Sequence, residues 1–458
     1  MEDTIAAIAT PPGMGGIGII RLSGPKARDI GRLLFRPSKK ADGFKSHQLY
    51  HGDIISPETA AIIDEVLISL MEKPHTYTGE DVLEINCHGG SVILQSVLAE
   101  VIKAGARLAE PGEFTKRAFL NNRIDLSQAE AVADMIMAKT DRGLELAVSH
   151  LKGGLSGKIE TIRVSIIDIL ALLETSIDFS DEDVEPGHPS EIAGVTAAIV
   201  DELCKLASTY REGKIYRDGI NAVITGRPNV GKSSLLNRLL GEKRAIVTAV
   251  PGTTRDFIEE IISIRGVPVK LTDTAGIREP QNIIEKEGIT LVWEKLSQAD
   301  VVIILLDGSE ALTKEDKEII TKIQAKKFLL VINKADLPRA LDERELNTFA
   351  PDVIPPIWIS AKYGEGIAEL RDAIHALTLN HAPDWHSTHI VSNVRHKIAI
   401  EKTADLLSKA RESMINGLSP EFSAFDVREA LESLGEIAGK TVTEEVLDRI
   451  FSTFCIGK

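Results

Sequence analysis

A glycine-rich segment near the middle of the chain carries the clearest chemistry. Residues 226–233 read GRPNVGKS, which fits G-x-x-x-x-G-K-[ST] between an apolar run and a helical pattern. In such a loop backbone N–H groups surround phosphates, the lysine reaches the β- and γ-phosphates, and the serine hydroxyl binds Mg²⁺. A glycine-rich turn before a helix is the alternative. The predicted nucleotide contacts here are Asn229, Val230, Gly231, Lys232, Ser233 and Ser234, with Lys232 catalytic and Ser233 a Mg²⁺ ligand.

Four later segments favour a guanine nucleotide. A threonine hydroxyl at 253–254 can complete the Mg²⁺ shell, and the carboxylate and glycine N–H of DTAG at 273–276 can serve Mg²⁺ and the γ-phosphate. The carboxylate of NKAD at 333–336 can accept the ring N–H and exocyclic amine of guanine, a pair of donors that adenine lacks. SAK at 360–362 supplies a second loop beside the base. The sequence therefore predicts GTP binding through Thr253, Thr254, Asp273, Thr274, Ala275, Gly276, Asn333, Lys334, Asp336, Ser360, Ala361 and Lys362, with Thr254 a second Mg²⁺ ligand.

The residue that orients the attacking water in many GTPases is replaced. A glutamine often follows the glycine of D-x-x-G, but Ile277 stands there and cannot hold a water. Glu285, farther along the chain, can orient water as a carboxylate, and Asn229 can help to hold a monovalent cation where an arginine finger would place its charge. A helix-surface glutamate and a turn asparagine are the alternatives, and spacing alone leaves both questions open.

Composition sets the class of protein. The chain has 458 residues, enough for roughly three domains at about 150 residues each. Its net charge of −15 argues against broad non-specific binding of nucleic acid. No run approaches the roughly 20 apolar residues of a membrane span, and the first residues lack a signal pattern. Three scattered cysteines are too few for a disulfide framework, so we expect a cytoplasmic protein without membrane contact.

The periodicity of apolar residues predicts three regions. Short β-like runs in residues 1–118 indicate a small α+β domain, and helical spacing marks 119–214 and again 383–458. Residues 218–378 alternate β runs with helices, which favours a mostly parallel sheet. Helical spacing on both sides of the α/β region suggests that this region is inserted into a helical domain, and its five nucleotide segments resemble those of GTP-binding proteins. The predicted fold class is α/β and α+β multidomain, with an N-terminal α+β domain, an all-helical central domain and an inserted Ras-like α/β G domain.

Two further patterns suggest sites that we do not expect. Residues 13–18 fit G-x-G-x-x-G, but two prolines precede them and an extended run follows, so a turn into a strand is favoured over a dinucleotide site. Cys87 beside His88 suggests a metal site or a Cys/His nucleophile, yet no other ligand has suitable spacing.

The whole chain resembles the MnmE (TrmE) family of tRNA-modification GTPases. The resemblance rests on DTI at 3–5, ATPPG at 9–13, YTGED at 77–81, PGEFT at 111–115, RAFLNNRIDL at 117–126 and CIGK at 455–458. It implies that potassium replaces the arginine finger, held by the Asn229 side chain and by carbonyl groups of Thr248, Val250 and Thr253, with Thr248 also at the nucleotide. It also implies that Glu285 orients the water and that the protein is a homodimer.

For the N-terminal domain the resemblance implies a site for 5-formyl- or methylene-tetrahydrofolate. Arg21, Glu80 and Arg123 would line this site, and Lys458 would reach it from the C-terminal tail. Arginine and lysine can meet the glutamyl carboxylates, and a glutamate can accept from the pteridine ring. Cys455 lies in the tail signature, and we favour a structural or substrate-proximal role over covalent catalysis.

The resemblance finally implies a reaction and partners. With the FAD-dependent protein MnmG (GidA), such a GTPase places an aminomethyl or carboxymethylaminomethyl group on carbon 5 of the wobble uridine of certain tRNAs. The acidic net charge fits a division of labour in which tRNA is bound mainly through the complex. The alternatives are a GTP-dependent ribosome-assembly factor and, more weakly, a structural G-domain scaffold.

Overall fold

The computed structural model describes residues 3–39, 43–178, 188–242, 260–273, 296–323, 327–349, 355–379 and 389–457. The chain divides into two compact units, one of Met1–Ala133 with Leu431–Lys458 and one of Asp134–Ala430. This division does not decide the domain boundaries predicted from the sequence, namely 1–118, 119–214 with 383–458, and 218–378. Those boundaries stay a prediction.

A mixed sheet forms the centre of the first unit. Its strands are β1 Ile5–Ile8, β2 Gly15–Ser23, β3 Phe35–Pro37, β4 Gln48–Ile55, β5 Ile62–Met71, β6 Val82–Gly89 and β7 Arg107–Leu108. They lie in the order β3-β4-β5-β6-β2-β1-β7. Alternate residues of β5 are buried, which gives the sheet one core face, and the helices Ala27–Leu34 and Ser91–Lys103 contribute to the same apolar cluster.

The C-terminal segment packs against the end of the N-terminal region within this unit. The helix Glu113–Leu120 starts at Gly112, where a Cβ would lie 2.5 Å from the Phe451 carbonyl oxygen. Such close approach is open only to glycine at this position. The other helices that contain residues of this unit are Leu126–Met137, Pro420–Ala438 and Glu444–Phe451.

A largely parallel sheet forms the core of the second unit. Its strands are β8 Ile220–Thr225, β9 Glu260–Ile264, β10 Val267–Asp273, β11 Val301–Asp307, β12 Phe328–Asn333 and β13 Ile357–Trp358. Their order is β13-β12-β11-β8-β10-β9, and only the β9–β10 pair is antiparallel. Both β11 and β12 are buried along their whole length, as expected for strands covered on both faces. The helices after these strands are Lys232–Glu242, Lys314–Ile323, Glu343–Phe349 and Ile367–Thr378.

Long helices make up the rest of this unit. Helix Gly154–Asp178 buries Ile162, Ile166, Ile169 and Leu173, which recur at helical spacing, and Leu170 beside them is half-buried. Helix Val394–Ile415 buries Ile400, Leu407 and Met414 on one face. The described residues of this unit also form the helices Asp141–Leu151, Pro189–Ser208 and Tyr210–Asp218.

The predicted fold class is confirmed. An α+β region, a helical region and an α/β region with Ras-like strand order are all present. The glycine-rich run at 13–18 leads into strand β2 rather than a helix, so the expectation of a turn into a strand is correct. No helix in the described ranges has the length and apolar character needed to cross a membrane.

Candidate nucleotide site and N-terminal site

The carboxyl ends of the parallel strands bring the predicted nucleotide motifs to one edge of the sheet. Strand β8 leads into the glycine-rich loop, β12 ends at Asn333, and β13 ends two residues before Ser360. At the end of β10, Asp273 pairs through its backbone with Ile224 of β8. Ligands of open α/β sheets bind at this edge.

The glycine-rich loop has the backbone shape that phosphate binding requires. Gly226 and Gly231 have φ of 153° and 100°, and a Cβ on them would lie 2.3 Å from the Leu305 carbonyl oxygen and 2.2 Å from Asn333 Nδ2. Lys232 begins the following helix, and its Nζ donates to the carbonyl oxygens of Gly226 and Arg227 at 2.8 Å each. The Lys232 side chain is thus held beside the loop and the N-terminus of its helix, so its ammonium group can bind a phosphate with little change of side-chain conformation.

The guanine-side motifs are joined to this loop by hydrogen bonds. Asn333 Nδ2 donates to the Val230 carbonyl oxygen at 2.8 Å, and Asn333 Oδ1 accepts from the Ala361 backbone N–H at 3.0 Å. Ser360 Oγ donates to Asp336 Oδ1 at 2.7 Å and thereby orients an exposed carboxylate. The base-side motifs and the phosphate loop are thus joined by hydrogen bonds into one assembly.

The other predicted nucleotide residues are either exposed or not fully described. Lys362 is exposed and its Nζ lies 4.9 Å from the centre of the Tyr363 ring. Of Asp273 only the backbone is described. The residues Thr248, Val250, Thr253, Thr254, Thr274, Ala275, Gly276 and Glu285 lie outside the described residues.

Sequence reasoning missed Asp307, the last residue of β11. Its side chain is 3% exposed and accepts from Lys334 Nζ at 2.5 Å and from Ser309 Oγ at 2.6 Å. Burial alone would raise the pKa of this carboxyl, but the bonds from Lys334 and Ser309 leave the pKa lowered. The one feature of the sequence that could have indicated Asp307 is its position at the end of a long apolar run, directly before Gly308.

The N-terminal site is built around a buried arginine that the sequence analysis assigned no role. Arg117 has a side chain that is 0% exposed and pairs with Asp3 at 2.9 Å, Glu80 at 3.1 Å and Glu113 at 3.0 Å. Glu80, a predicted ligand residue, also accepts from Ser23 Oγ at 2.7 Å. Burial alone would lower the pKa of Arg117, but Glu113 and Glu80 raise it. Charge pairing thus fixes the Glu80 carboxylate in place.

Arg21 lies at the rim of this cluster. Its Nε donates to Glu84 Oε1 at 2.9 Å, and its Nη1 donates to the Gly457 carbonyl oxygen at 3.2 Å. The rings of Tyr77 and Phe114 lie 6.0 and 5.9 Å from its guanidinium carbon. The structure therefore brings Arg21 into contact with Gly457 of the C-terminal tail.

The other predicted N-terminal residues are less engaged. Arg123 is exposed and donates from Nε to the Thr76 carbonyl oxygen at 3.3 Å. Cys455 is exposed, and its carbonyl oxygen accepts from the Gly112 N–H at 3.4 Å. Lys458 lies outside the described residues.

Cys87 and His88 do not form a catalytic pair. Burial, with a smaller effect of Asp64, raises the pKa of the Cys87 thiol to about 12, so almost no thiolate is present near neutral pH. His88 bonds through Nδ1 to Asp64 Oδ1 at 2.7 Å instead. In the described ranges no three His, Cys, Asp or Glu residues are grouped to hold a metal.

Comparison with known proteins identifies the family. A family model described as the MnmE helical domain matches residues 126–455, and one described as the N-terminus of the GTP-binding protein TrmE matches residues 4–123. The tRNA modification GTPase MnmE of Syntrophus aciditrophicus (strain SB) is 58% identical over 458 residues and covers 100% of both chains. The chain belongs to the MnmE family of tRNA modification GTPases.

Other relatives agree. The tRNA modification GTPase MnmE of Natranaerobius thermophilus is 46% identical over 457 residues, again with 100% of both chains covered. The G domain of the T. maritima FeoB iron transporter is 28% identical over 35% of this chain and 99% of that chain, but its TM-score of 0.28 is too low to carry an argument. As a member of the MnmE family, the chain is a GTP hydrolase involved in tRNA modification. The resemblance stated from sequence motifs is confirmed.

Proposed function

We propose that the chain hydrolyses GTP in a potassium-dependent way and, with the FAD-dependent partner MnmG (GidA), modifies carbon 5 of the wobble uridine of certain tRNAs. In this proposal a tetrahydrofolate with a 5-formyl or methylene group supplies the one-carbon unit for the aminomethyl or carboxymethylaminomethyl product. The working form is a cytoplasmic homodimer, and tRNA binds mainly through the complex. The relatives' shared name favours this function over that of a ribosome-assembly factor.

The contact between Arg21 and the carbonyl oxygen of Gly457 carries the N-terminal part of the proposal. It joins the tail signature to the predicted folate residues, although more than four hundred residues separate the two in sequence. The side chains fit a tetrahydrofolate, because Arg21 can meet a glutamyl carboxylate, Glu80 can accept from pteridine donors, and the Tyr77 and Phe114 rings lie close by. Arg123 and Lys458 complete the proposed ligand set.

The glycine-rich loop supports a cation site beside the phosphates. Asn229 lies in the glycine-rich loop, where it is exposed and adopts a φ of 64°. Its amide oxygen is therefore available to potassium, which would supply the positive charge that an arginine finger gives elsewhere. Thr248, Val250 and Thr253 would add carbonyl ligands, Ser233 and Thr254 would bind Mg²⁺, and Glu285 would orient the water.

Nucleoside analysis of tRNA tests the reaction. We expect a strain that lacks this gene to accumulate tRNA whose wobble uridine is unmodified at carbon 5, and the wild-type gene to restore the modification. Arg21→Met should fail to restore it, whereas Arg265→Met, at an exposed ion pair with Asp372, should succeed. Normal wobble uridines in the deletion strain would exclude the proposed reaction. Full restoration by Cys455→Ser would assign that residue a structural or proximal role.

Salt dependence tests the cation. GTP turnover by the full chain should be much faster in potassium than in sodium at equal ionic strength, and Glu285→Ala should be slow in both salts. Asn229→Ala should remove the preference for potassium. Equal rates of the wild type in the two salts would contradict the cation role and leave the tRNA reaction untouched.

A further inference from the structure

The segment after strand β11 lies between the phosphate loop and the guanine-side motif. The backbone N–H of Gly308 donates to the Asn333 carbonyl oxygen at 2.9 Å. A Cβ on Gly308 would lie 2.6 Å from the Trp358 ring and 3.0 Å from that same carbonyl oxygen, so the segment packs directly on the guanine side. On its other side Glu310 pairs with the Arg227 guanidinium of the phosphate loop at 2.5 Å.

Asp307, the last residue of β11, carries the charge from which this segment starts. Its carboxylate lies 2.5 Å from Lys334 Nζ and 4.0 Å from Arg227 Nη2, so one buried anion faces a cation from each motif. Lys334 stands in the left-handed region with φ of 65°, between the base-side residues Asn333 and Asp336. Because non-glycine residues rarely adopt this conformation, an external partner that holds the lysine helps to fix the turn.

Arg227 connects the same segment to the catalytic lysine. The guanidinium lies among three carboxylates, of which Asp316 on helix Lys314–Ile323 is 3% exposed and 3.4 Å from Nε. Neither Arg227 Nε nor Asp316 Oδ1 has a hydrogen-bond partner among the described residues. The Arg227 backbone carbonyl accepts from Lys232 Nζ at 2.8 Å. A shift of Arg227 would therefore also displace Lys232, because the backbone carbonyl of Arg227 is bonded to the Lys232 ammonium group.

We propose that Asp307 is a positioning residue that couples guanine recognition to the phosphate loop, through Lys334 on one side and Arg227 on the other. The direct link between Asn333 and Val230 consists of neutral hydrogen bonds and is independent of this charged route. Removal of the Asp307 charge should leave Lys334 without its anion and loosen the turn that presents Asp336. Base discrimination should then fall together with nucleotide affinity, because the carboxylate that reads guanine is less well fixed.

Binding of two nucleotides to the full chain tests the coupling. GDP and IDP differ only by the exocyclic amine that Asp336 is expected to read, so their ratio of dissociation constants reports base recognition. For Asp307→Asn, which keeps the shape of the side chain, we expect GDP to bind about tenfold more weakly and IDP about threefold or less. The KM for GTP should rise in parallel, while kcat at saturating GTP stays within about twofold. Asp372→Asn, which breaks an exposed aspartate–arginine pair of the same unit, should change none of these values.

A double-mutant cycle separates coupling from general loosening. Arg227→Lys keeps the charge but loses the planar fork, and it should show the same loss of discrimination at smaller size. It also carries the test if Asp307→Asn does not fold. The combined variant should bind GDP about fivefold more tightly than the product of the single effects predicts, because both changes interrupt one route. Multiplicative effects, equal weakening of GDP and IDP, or a lowered Tm with unchanged dissociation constants would each overturn the proposal.

Discussion

The residues expected to touch the nucleotide are held differently from those of the N-terminal cluster, although ion pairs of Asp307 with Lys334 and Arg227 lie behind the nucleotide residues. In the nucleotide site Lys232 is bonded to neutral carbonyl oxygens, and the exposed Asp336 is oriented by a hydroxyl. In the N-terminal site the buried Arg117 is paired with carboxylates, and the Glu80 carboxylate is paired in turn. A hydrogen bond to a carbonyl or hydroxyl oxygen can be exchanged for a bond to a charged ligand, whereas a buried charge pair resists exchange because each ion would be left unpaired. The first arrangement suits nucleotide turnover, and the second suits a fixed frame.

The largest predicted effect is on stability and comes from changing Arg117 in the N-terminal cluster. Arg117→Met would remove the cation that pairs with the largely buried Glu80 and one of the two cations that pair with Glu113, so we expect the free energy of unfolding of the first unit to fall by about 3–5 kcal/mol. Denaturant titration of the full chain, followed by hydrogen exchange in each unit, measures this. Arg428→Met at an exposed pair with Glu174 is the matched control, with an expected loss below about 1 kcal/mol. A similarly small loss for Arg117→Met would show that the buried cluster does not stabilise this unit.

The next effect should come from the nucleotide site and should be catalytic. Lys232→Ala removes the charge that meets the phosphates, so GTP turnover should fall about a hundredfold or more. The hydrogen-exchange protection of the first unit should stay unchanged, whereas Arg117→Met should lower it. Lys314→Ala, at the start of another helix of the same unit, is the control for loss of an exposed lysine. Near-normal turnover by Lys232→Ala would contradict the placement of the phosphates.

These two sites also differ in how far the sequence predicts them. The nucleotide site follows from short motifs, because a strand, a loop and a helix that are contiguous in the chain fix Lys232, and parallel strands then bring Asn333 to the same edge. Asp307 escaped notice because a single aspartate after a strand carries no pattern. The N-terminal cluster joins Asp3 to Arg117, over a hundred residues apart, and no local period encodes such pairing. The family motifs mark these residues, but only the fold shows that Arg117 is buried.

The charge pairing of the N-terminal cluster also predicts that the stability of the first unit depends on pH in the acid range. Burial alone would raise the pKa of Glu113, but bonds from Arg107, the Glu110 N–H and Arg117 leave the pKa below its ordinary value of 4.5. A carboxyl with a lowered folded-state pKa stabilises the protein above its unfolded pKa, and this stabilisation is lost as the pH falls through the folded value. The free energy of unfolding of the first unit should therefore fall as the pH drops below about 4.5, and Glu113→Gln should flatten that dependence by at most about 1.4 kcal/mol per pH unit. If the pH dependence of the free energy of unfolding were the same for Glu113→Gln and the wild type, the pKa of Glu113 would not differ between the folded and unfolded states.

The smallest predicted effect comes from Gly457 in the C-terminal tail, where a substitution should change the position of the tail but hardly the Tm of the protein. Gly457 has a φ of 92°, and a Cβ there would lie 2.8 Å from the Ile8 carbonyl oxygen. Gly457→Ala should shift the chain end, because a terminal residue can move at a cost below about 1 kcal/mol, and the bond from Arg21 should be lost with little change in Tm. Gly417→Ala is the matched control, since its φ of 67° is also positive but no atom lies within 4 Å of the added Cβ. Faster carboxypeptidase digestion of Gly457→Ala than of Gly417→Ala is the expected result. Equal digestion would mean that the tail is not held at Ile8, and the contact between Arg21 and Gly457 could not then position it for the N-terminal site.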